Sequence, residues 1–371
     1  MNNTKNLIRF IFVVILLFCT GGLNAQYTQE KAISFIEKVY DRHDKKLHKL
    51  LITELHDYME TFPKSAYSAD ILDFLGKVYE EKGDVHEALA SHIKVLFLYP
   101  NNKSEWADLV MTIVTDKEMV QNQKSDIFNV AEIKQTDQMI QDRYFKYLVF
   151  MINLELRMFN DLILSDCREF IQLFPTDERN DQVLLWIADI YNANGKKYEA
   201  EVSYLKFEIL YPESTLLPYA MMRKSKLLSN KLKKVGQAME TLDRIVSKFP
   251  NCKNAGDALY KLGEIKEKKQ KDYKSALTNY RRLVDNYPQN SNVINALFAI
   301  AKINKDKQKN YLAAIATYNE IVDRDTTEIN ETKALKEIAS IYKKYLKDLG
   351  KTAETYQRIA DININYEMAV E

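Results

Sequence analysis

The sequence predicts an all-α protein, an α–α superhelix (solenoid) of about nine helical hairpins of 37–38 residues. Three observations predict it. One phrase is written three times between Thr176 and Pro288: Ala200, Tyr204, Tyr211-Pro212; Ala238, Leu242, Phe249-Pro250; Ala276, Tyr280, Tyr287-Pro288. The alanines stand 38 residues apart and each precedes its proline by 12; a fixed period of this size marks a stack of repeats. Second, six of the seven prolines follow an aromatic residue, at Phe62, Tyr99, Phe174, Tyr211, Phe249 and Tyr287, with spacings of 37, 75, 37, 38 and 38. The 75 reads as two periods with a worn boundary near Gln138, and another worn boundary falls at Asp325-Thr326. Third, 9 glycines and 7 prolines in 371 residues leave long uninterrupted stretches for helices.

In chain order, residues 1–25 read as a secretory signal peptide. Lys5 and Arg9 form a basic start, Phe10 to Phe18 is wholly apolar, and Gly21-Gly22-Leu23-Asn24-Ala25 supplies small residues before Gln26. The apolar core is too short to span a bilayer permanently. Cleavage is expected after Ala25; acylation of Cys19, as in a lipoprotein, is the competing reading, and bulky Phe18 argues against it. The Asn24-Ala25-Gln26 ending resembles exported proteins of Gram-negative bacteria, which implies the periplasm or the outer-membrane periphery. No later stretch is long and apolar enough for a transmembrane helix. Residues 26–175 are expected to form an N-terminal, partly degenerate set of helical repeats, and 176–371 a C-terminal set whose pattern is degenerate only at 326–371. Cys167 and Cys252 lie more than two repeats apart, too far to bridge.

Within a unit, a residue before proline is pushed out of the α region, so the second helix, B, stops at the aromatic while its ring still packs inward. Polar residues follow each proline (Asn101-Asn102-Lys103-Ser104, Thr176-Asp177, Gln289-Asn290-Ser291) and are expected to cap the next helix. Leu184, Ile187 and Tyr191 line the first helix, A, of one unit, and Ala200, Tyr204 and Phe207 its helix B. A Gly- or Lys-rich turn, such as Asn194-Gly195-Lys196-Lys197, separates the two. The alanine is small because helix B approaches its neighbour closely there. At Leu72, Leu75-Gly76, Tyr79, Gly83, Ala88 and Pro100 the chain resembles the tetratricopeptide repeat family. The resemblance covers 64–100 and 176–325 well. Its long units with Tyr-Pro closures are similar to the periplasmic branch that includes the outer-membrane barrel-assembly lipoprotein and the Tol–Pal coordinator.

Composition excludes a membrane bundle: 46% of residues are hydrophobic and 28% charged. A net charge of +1 gives no global argument for nucleic acid, and no aromatic–basic interleaving supports one. Residues 26–175 hold 18 Lys+Arg against 25 Asp+Glu, and residues 176–371 hold 33 against 27. The chemistry of catalysis is not written here. His43, His48, His56, His86 and His92 form no HExxH, and there is no Gly-rich phosphate loop, Gly-x-Ser-x-Gly elbow or Cys-x-x-Cys. His92 occupies the slot of Tyr204 and Tyr280, a packing position. No catalytic, metal or cofactor residue is therefore assigned.

Two features rise above scaffold. Leu185, Met222, Tyr260 and Phe298 share one position on helix A, beside Leu184, Met221, Leu259 and Leu297. The family resemblance implies that this position faces a concave, peptide-binding groove; the alternative is packing between adjacent A helices. A lysine ridge follows the A–B turns: Lys231, Lys233 and Lys234; Lys266, Lys268, Lys269 and Lys271; Lys305, Lys307 and Lys309. Such a row serves solubility, or an acidic partner or anionic surface. The expected function is a non-catalytic scaffold of the cell envelope that binds a protein or peptide, with attachment to the membrane only through a lipid on Cys19 or through partners. The alternatives are a spacer that self-associates through its acidic and basic halves, or an envelope lipoprotein acting as an accessory in outer-membrane assembly.

Overall fold

A computed structural model describes residues 22–63, 65–100, 139–324 and 328–370, with side chains from Thr28 to Ile362 within those ranges. Most of the leader, Cys19 included, and the segment 101–138 lie outside the described residues, while Ala25 falls near the start of the first helix. The chain divides into two compact units, Met1–Val183 and Leu184–Glu371. Sixteen α-helices and no strand lie among the described residues. The first unit holds α1 (Gly22–Tyr40) and α2 (His48–Thr61), α3 (Ser68–Lys82) and α4 (Val85–Leu98), and α5 (Ile140–Asn153) and α6 (Asn160–Leu173). Next come α7 (Asn180–Ala193) and α8 (Lys197–Leu210), within whose first member the units meet in sequence, and α9 (Leu217–Lys226) and α10 (Val235–Lys248). The remaining pairs are α11 (Lys253–Glu264) and α12 (Tyr273–Asn286), α13 (Val293–Asp306) and α14 (Tyr311–Arg324), and α15 (Glu328–Ile341) and α16 (Leu349–Val370).

These are eight hairpins. From α9 to α16 each B helix packs on its own A helix, and α10, α12 and α14 each pack also on the A helix that follows. In the first unit α4 packs directly on α5, so the hairpins on either side of 101–138 are neighbours. The ninth expected unit falls on that segment, outside the described residues.

The repeated phrase works as its residue types dictate. At Phe62, Tyr99, Phe174, Tyr211, Phe249 and Tyr287 the backbone leaves the helix with φ between −132° and −124° and ψ between 52° and 63°. Proline's ring excludes the α region from the residue before it, and each of these residues still donates its N–H four residues back, as Tyr211 does to Phe207 O at 2.9 Å. Ala200, Ala238, Ala276 and Ala314 are completely buried. Enlarging Ala238 or Ala276 to leucine should cost about 1–3 kcal/mol by overpacking, seen as a lower melting temperature; wild-type melting in both variants would place these methyls elsewhere.

The polar residues after proline do a different job from the expected cap. Helix A begins five residues beyond Pro63, Pro175, Pro212 and Pro288, too far on for the side chain two residues after proline to be its cap. That side chain instead closes a turn on the backbone N–H two residues on: Ser65 to Tyr67 (3.1 Å), Asp177 to Arg179 (2.9 Å), Ser214 to Leu216 (3.0 Å), Asn290 to Asn292 (2.8 Å). Side-chain caps sit instead where helix B starts. Asp272, Asn310 and Asp348 accept from the N–H groups of Ser275, Ala313 and Lys351 at 3.1, 3.2 and 3.0 Å.

The extra length of the units is also located. After α9, α11 and α15 the chain continues as π-helical stretches, Leu227–Lys231, Ile265–Gln270 and Tyr342–Leu346, before turning. A left-handed residue then breaks the helix: Gly195 (φ 75°), Lys233 (59°), Lys271 (61°), Lys309 (53°) and Lys347 (57°) follow one another at 38-residue intervals. Glycine takes this conformation freely, whereas lysine holds it at some cost.

Candidate partner-binding groove

The second unit carries a cleft of about 640 Å³ between two consecutive A helices. Tyr219, Met222, Arg223 and Lys226 of α9 form one wall, Asn254, Asp257, Lys261 and Glu264 of α11 the other, and Leu242 of α10 lies at its floor. Within a hairpin, helix A closes on helix B where helix A carries a small residue. Ser225 and Gly263 occupy equivalent positions, both buried. A Cβ added at Gly263 would sit 2.4 Å from the Tyr280 ring, and one at Gly76 would sit 2.5 Å from His92. His92 therefore packs in the ring slot, as its register implies; it is buried and its Nδ1 lies 3.5 Å from Asp73 Oδ1.

The cleft has an apolar floor and a charged rim. Arg223, Lys226, Lys261, Lys268 and Lys269 face two carboxylates, Asp257 and Glu264. Glu264 receives Lys261 at 2.5 Å and Lys268 at 2.6 Å. Burial pushes its carboxyl up, and the two ammonium groups more than offset this, holding it below the ordinary carboxylate range. Asp257 is occupied by Asn290 and Asn292, whose amides donate at 3.0 and 2.8 Å. Arg223 stacks on the Tyr219 ring and bonds its hydroxyl. Lys226 projects into solvent.

The stripe on helix A is not uniform. Leu185 is buried, whereas Met222, Tyr260 and Phe298 are half-buried. Met222 opens on the cleft. Tyr260 lies against Tyr280 with ring centroids 5.7 Å apart, and Phe298 against Tyr318 at 6.2 Å, with the Lys333 ammonium 4.4 Å over the Phe298 ring. The core-facing neighbours Leu184, Met221, Leu259 and Leu297 are all buried.

Much of the lysine ridge is engaged within the chain. Lys231 donates to Asn192 O at 2.7 Å and Lys269 to Ser229 O at 2.8 Å, each reaching the end of the preceding A helix, where the helix dipole favours a cation. Lys234 bonds Glu201, Lys305 bonds Glu337 and Lys268 bonds Glu264, while Lys266 lies 4.0 Å from Asp272. The Lys307 ammonium sits over the Tyr273 ring. Lys233, Lys271 and Lys309 are the left-handed turn residues, with exposed side chains.

Sequence reasoning missed the densest electrostatic feature, which lies in the first unit. Lys94 of α4 is buried and bonds Asp166 at 2.7 Å and Glu169 at 2.6 Å, both on α6. Tyr147 donates to Asp166 at 2.6 Å and Tyr144 to Glu169 at 2.8 Å. Burial alone would push the Lys94 ammonium towards neutrality; the two carboxylates outweigh it and hold its pKa above the ordinary lysine value. Burial likewise raises Glu169, and Lys94 reverses this to a net lowering. Beside the cluster is a smaller cleft of about 290 Å³ that includes His56 and Tyr79, whose ring nitrogen and hydroxyl are 3.1 Å apart. Lys94, Asp166 and Glu169 are satisfied by one another and by the two tyrosines, which makes the cluster structural.

Among the described residues, no group of three or more His, Cys, Asp or Glu is placed to hold a metal ion, and no helix is long and apolar enough to cross a membrane. Cys167 and Cys252 are free thiols.

No curated protein matches the chain. Among solved structures, the human IFIT1 dimer with m7Gppp-AAAA is similar at 14% identity and a TM-score of 0.35, over 88% of each chain. A monomeric IFIT1 mutant with the same RNA is similar at 14% identity and 0.37, over 89% of this chain and 88% of that one. At these values nothing those proteins bind is transferred to this chain. Residues 219–251 and 257–290, the stretches that build the walls of the larger cleft, match the model described as tetratricopeptide repeat, and the chain is similar to that family over these two stretches.

Proposed function

We propose that this protein is an exported scaffold of the bacterial cell envelope that holds an extended peptide, or a peptide-like segment of a partner protein, in the cleft between α9 and α11. Tetratricopeptide repeats generally serve as non-catalytic surfaces for protein partners, and the charged leader with its apolar core supports export. The observation that carries the reading is the composition of the cleft. Met222 and Leu242 offer apolar area, while five cations against two carboxylates favour an acidic ligand. Met222, Tyr260 and Phe298 extend the apolar contact along successive A helices, and the exposed lysines of the turns add long-range attraction. The resemblance of the repeat closures to periplasmic tetratricopeptide proteins supplies the functional analogy.

One experiment tests this. Crosslinking in intact cells of the native host, followed by purification and mass measurement, should find the chain beginning at Gln26 and joined to an envelope protein. Met222→Asp combined with Lys226→Glu should abolish the crosslink and leave the melting temperature unchanged, because both side chains contribute little to the core. Undiminished crosslinking in this variant would place the partner on another face.

A further inference from the structure

Helix α8 is apolar on two faces. Ala200, Ser203, Tyr204 and Phe207 point into the core. Tyr198, Val202, Leu205 and Ile209 form a second stripe with exposures of 60, 63, 45 and 67%. The repeats supply their own control. The equivalent positions are Gly236, Glu240, Asp243 and Ser247 on α10, and Lys274, Thr278, Arg281 and Asp285 on α12. On α14 they are Leu312, Ala316, Asn319 and Asp323. A helix hydrophobic all round belongs in a buried place, and here one side has no cover.

The spacing of the stripe says what covers it. The intervals 198–202–205–209 are 4, 3 and 4, and they read the same in both directions. A second copy of α8 laid antiparallel therefore meets it in register, with Val202 on Leu205 of the other copy and Tyr198 on Ile209. Val202 and Ile209 take the a positions of a heptad, Tyr198 and Leu205 the d positions, and the flanking residues set orientation. In an antiparallel pair each e position faces the other's e position, which puts Glu199 opposite Lys206, twice by symmetry. Neither residue makes an ion pair among the described residues, and Lys206 and Glu199 are exposed. The g positions, Glu201 and Glu208, would face like charges, but each is already neutralised within its own chain. Lys234 holds Glu201 at 2.7 Å, and Lys224 and Arg244 hold Glu208 at 2.9 and 3.0 Å. A parallel pair would instead need Glu201 for Lys206, and Glu201 is taken.

We infer that α8 is a homodimer seam, on which a second copy of this chain seats its own α8 antiparallel across a two-fold axis. The inference is independent of the peptide cleft, which lies on A helices. A 14-residue helix is about 21 Å long. It buries less than the roughly 800 Å² per partner of a standard interface, so the dimer is reversible.

Sedimentation velocity of the purified full chain across about 1–100 µM, the weak end of specific association, should show a monomer–dimer equilibrium that persists at about 0.5 M salt, where exposed charges are screened. Leu205→Glu should raise the dissociation constant by on the order of tenfold or more, with unchanged circular dichroism and melting. Glu199→Lys and Lys206→Glu should each weaken the dimer, and the two changes together in one chain should restore it, since each seam pair is then reversed. A chain that stays monomeric to about 100 µM, a dimer indifferent to Leu205→Glu, or a charge-swapped double no better than its singles overturns the seam. So does a dimer lost in high salt, which would point to association through the acidic and basic halves. A stripe found to bind lipid vesicles or a different protein while the chain remains monomeric overturns it as well.

Discussion

Replacing Lys94 with methionine should destabilise the first unit by about 3–5 kcal/mol, the range for removing one partner from a buried ionic network. The change keeps the length of the side chain and removes the ammonium that bonds both Asp166 and Glu169, leaving two carboxylates near each other, one of them 13% exposed. The cost lies in the abandoned acids more than in the lost attraction, so adding Asp166→Asn and Glu169→Gln to Lys94→Met should recover a large part of it. Urea denaturation of the full chain followed by circular dichroism reads both effects; a triple variant no more stable than the single would place the cost in packing. The pH dependence has a definite sign. Glu169 titrates below its ordinary 4.5 in the folded chain, so its contribution is present above pH 4.5 and fades as pH falls through the folded value. Lys94 titrates above its ordinary 10.5, so its contribution is present below that pH and fades as pH rises through the folded value. The methionine variant should lose this acid-side dependence.

The second large effect concerns the contact between Gly263 and Tyr280. Tyr280→Leu removes a fully buried ring and its 2.9 Å bond to Glu267 and should cost about 2–5 kcal/mol, the range for large-to-small core changes. Gly263→Ser alone forces a Cβ into that ring and should cost about 1–3 kcal/mol. Together they rebuild the pair that the preceding repeat already uses, Ser225 with Leu242, both buried. The double variant should therefore lose less than the sum of the singles, with a coupling of about 1–2 kcal/mol by double-mutant cycle. Strict additivity would mean that the two positions do not share space.

The period of this chain was legible because it is enforced by chemistry that a sequence displays directly. Proline after an aromatic ends a helix, alanine admits a neighbour, and both recur at a fixed interval. The capping role was misread at Asp177 and Asn290 because polar residues before a helix look alike whether they cap it or close a turn two residues earlier. The Lys94 cluster was hidden for another reason. Its carboxylates lie 72 and 75 residues away, and aligning repeats compares equivalent positions, whereas this contact joins positions that are not equivalent. The outer stripe of α8 was written openly, but periodicity that already accounts for Ala200, Tyr204 and Phe207 directs attention to the inner face. Of the lysine ridge, the row was readable and the partners were not, since the bonds of Lys231, Lys234, Lys269 and Lys305 cross from one repeat to the next.

Those crossing bonds give the stack a direction. Lys231 reaches back to the carbonyl of Asn192, and Lys269 back to that of Ser229; in each case the later hairpin finishes the earlier one. During synthesis the N-terminal side emerges first, so at these two junctions an A helix leaves the ribosome before the lysine that binds its end and acquires that cation only about forty residues later. At these two junctions the earlier repeat receives its cation from its successor. A nascent chain halted between two repeats would carry an unfinished end that the full-length molecule does not have at these junctions.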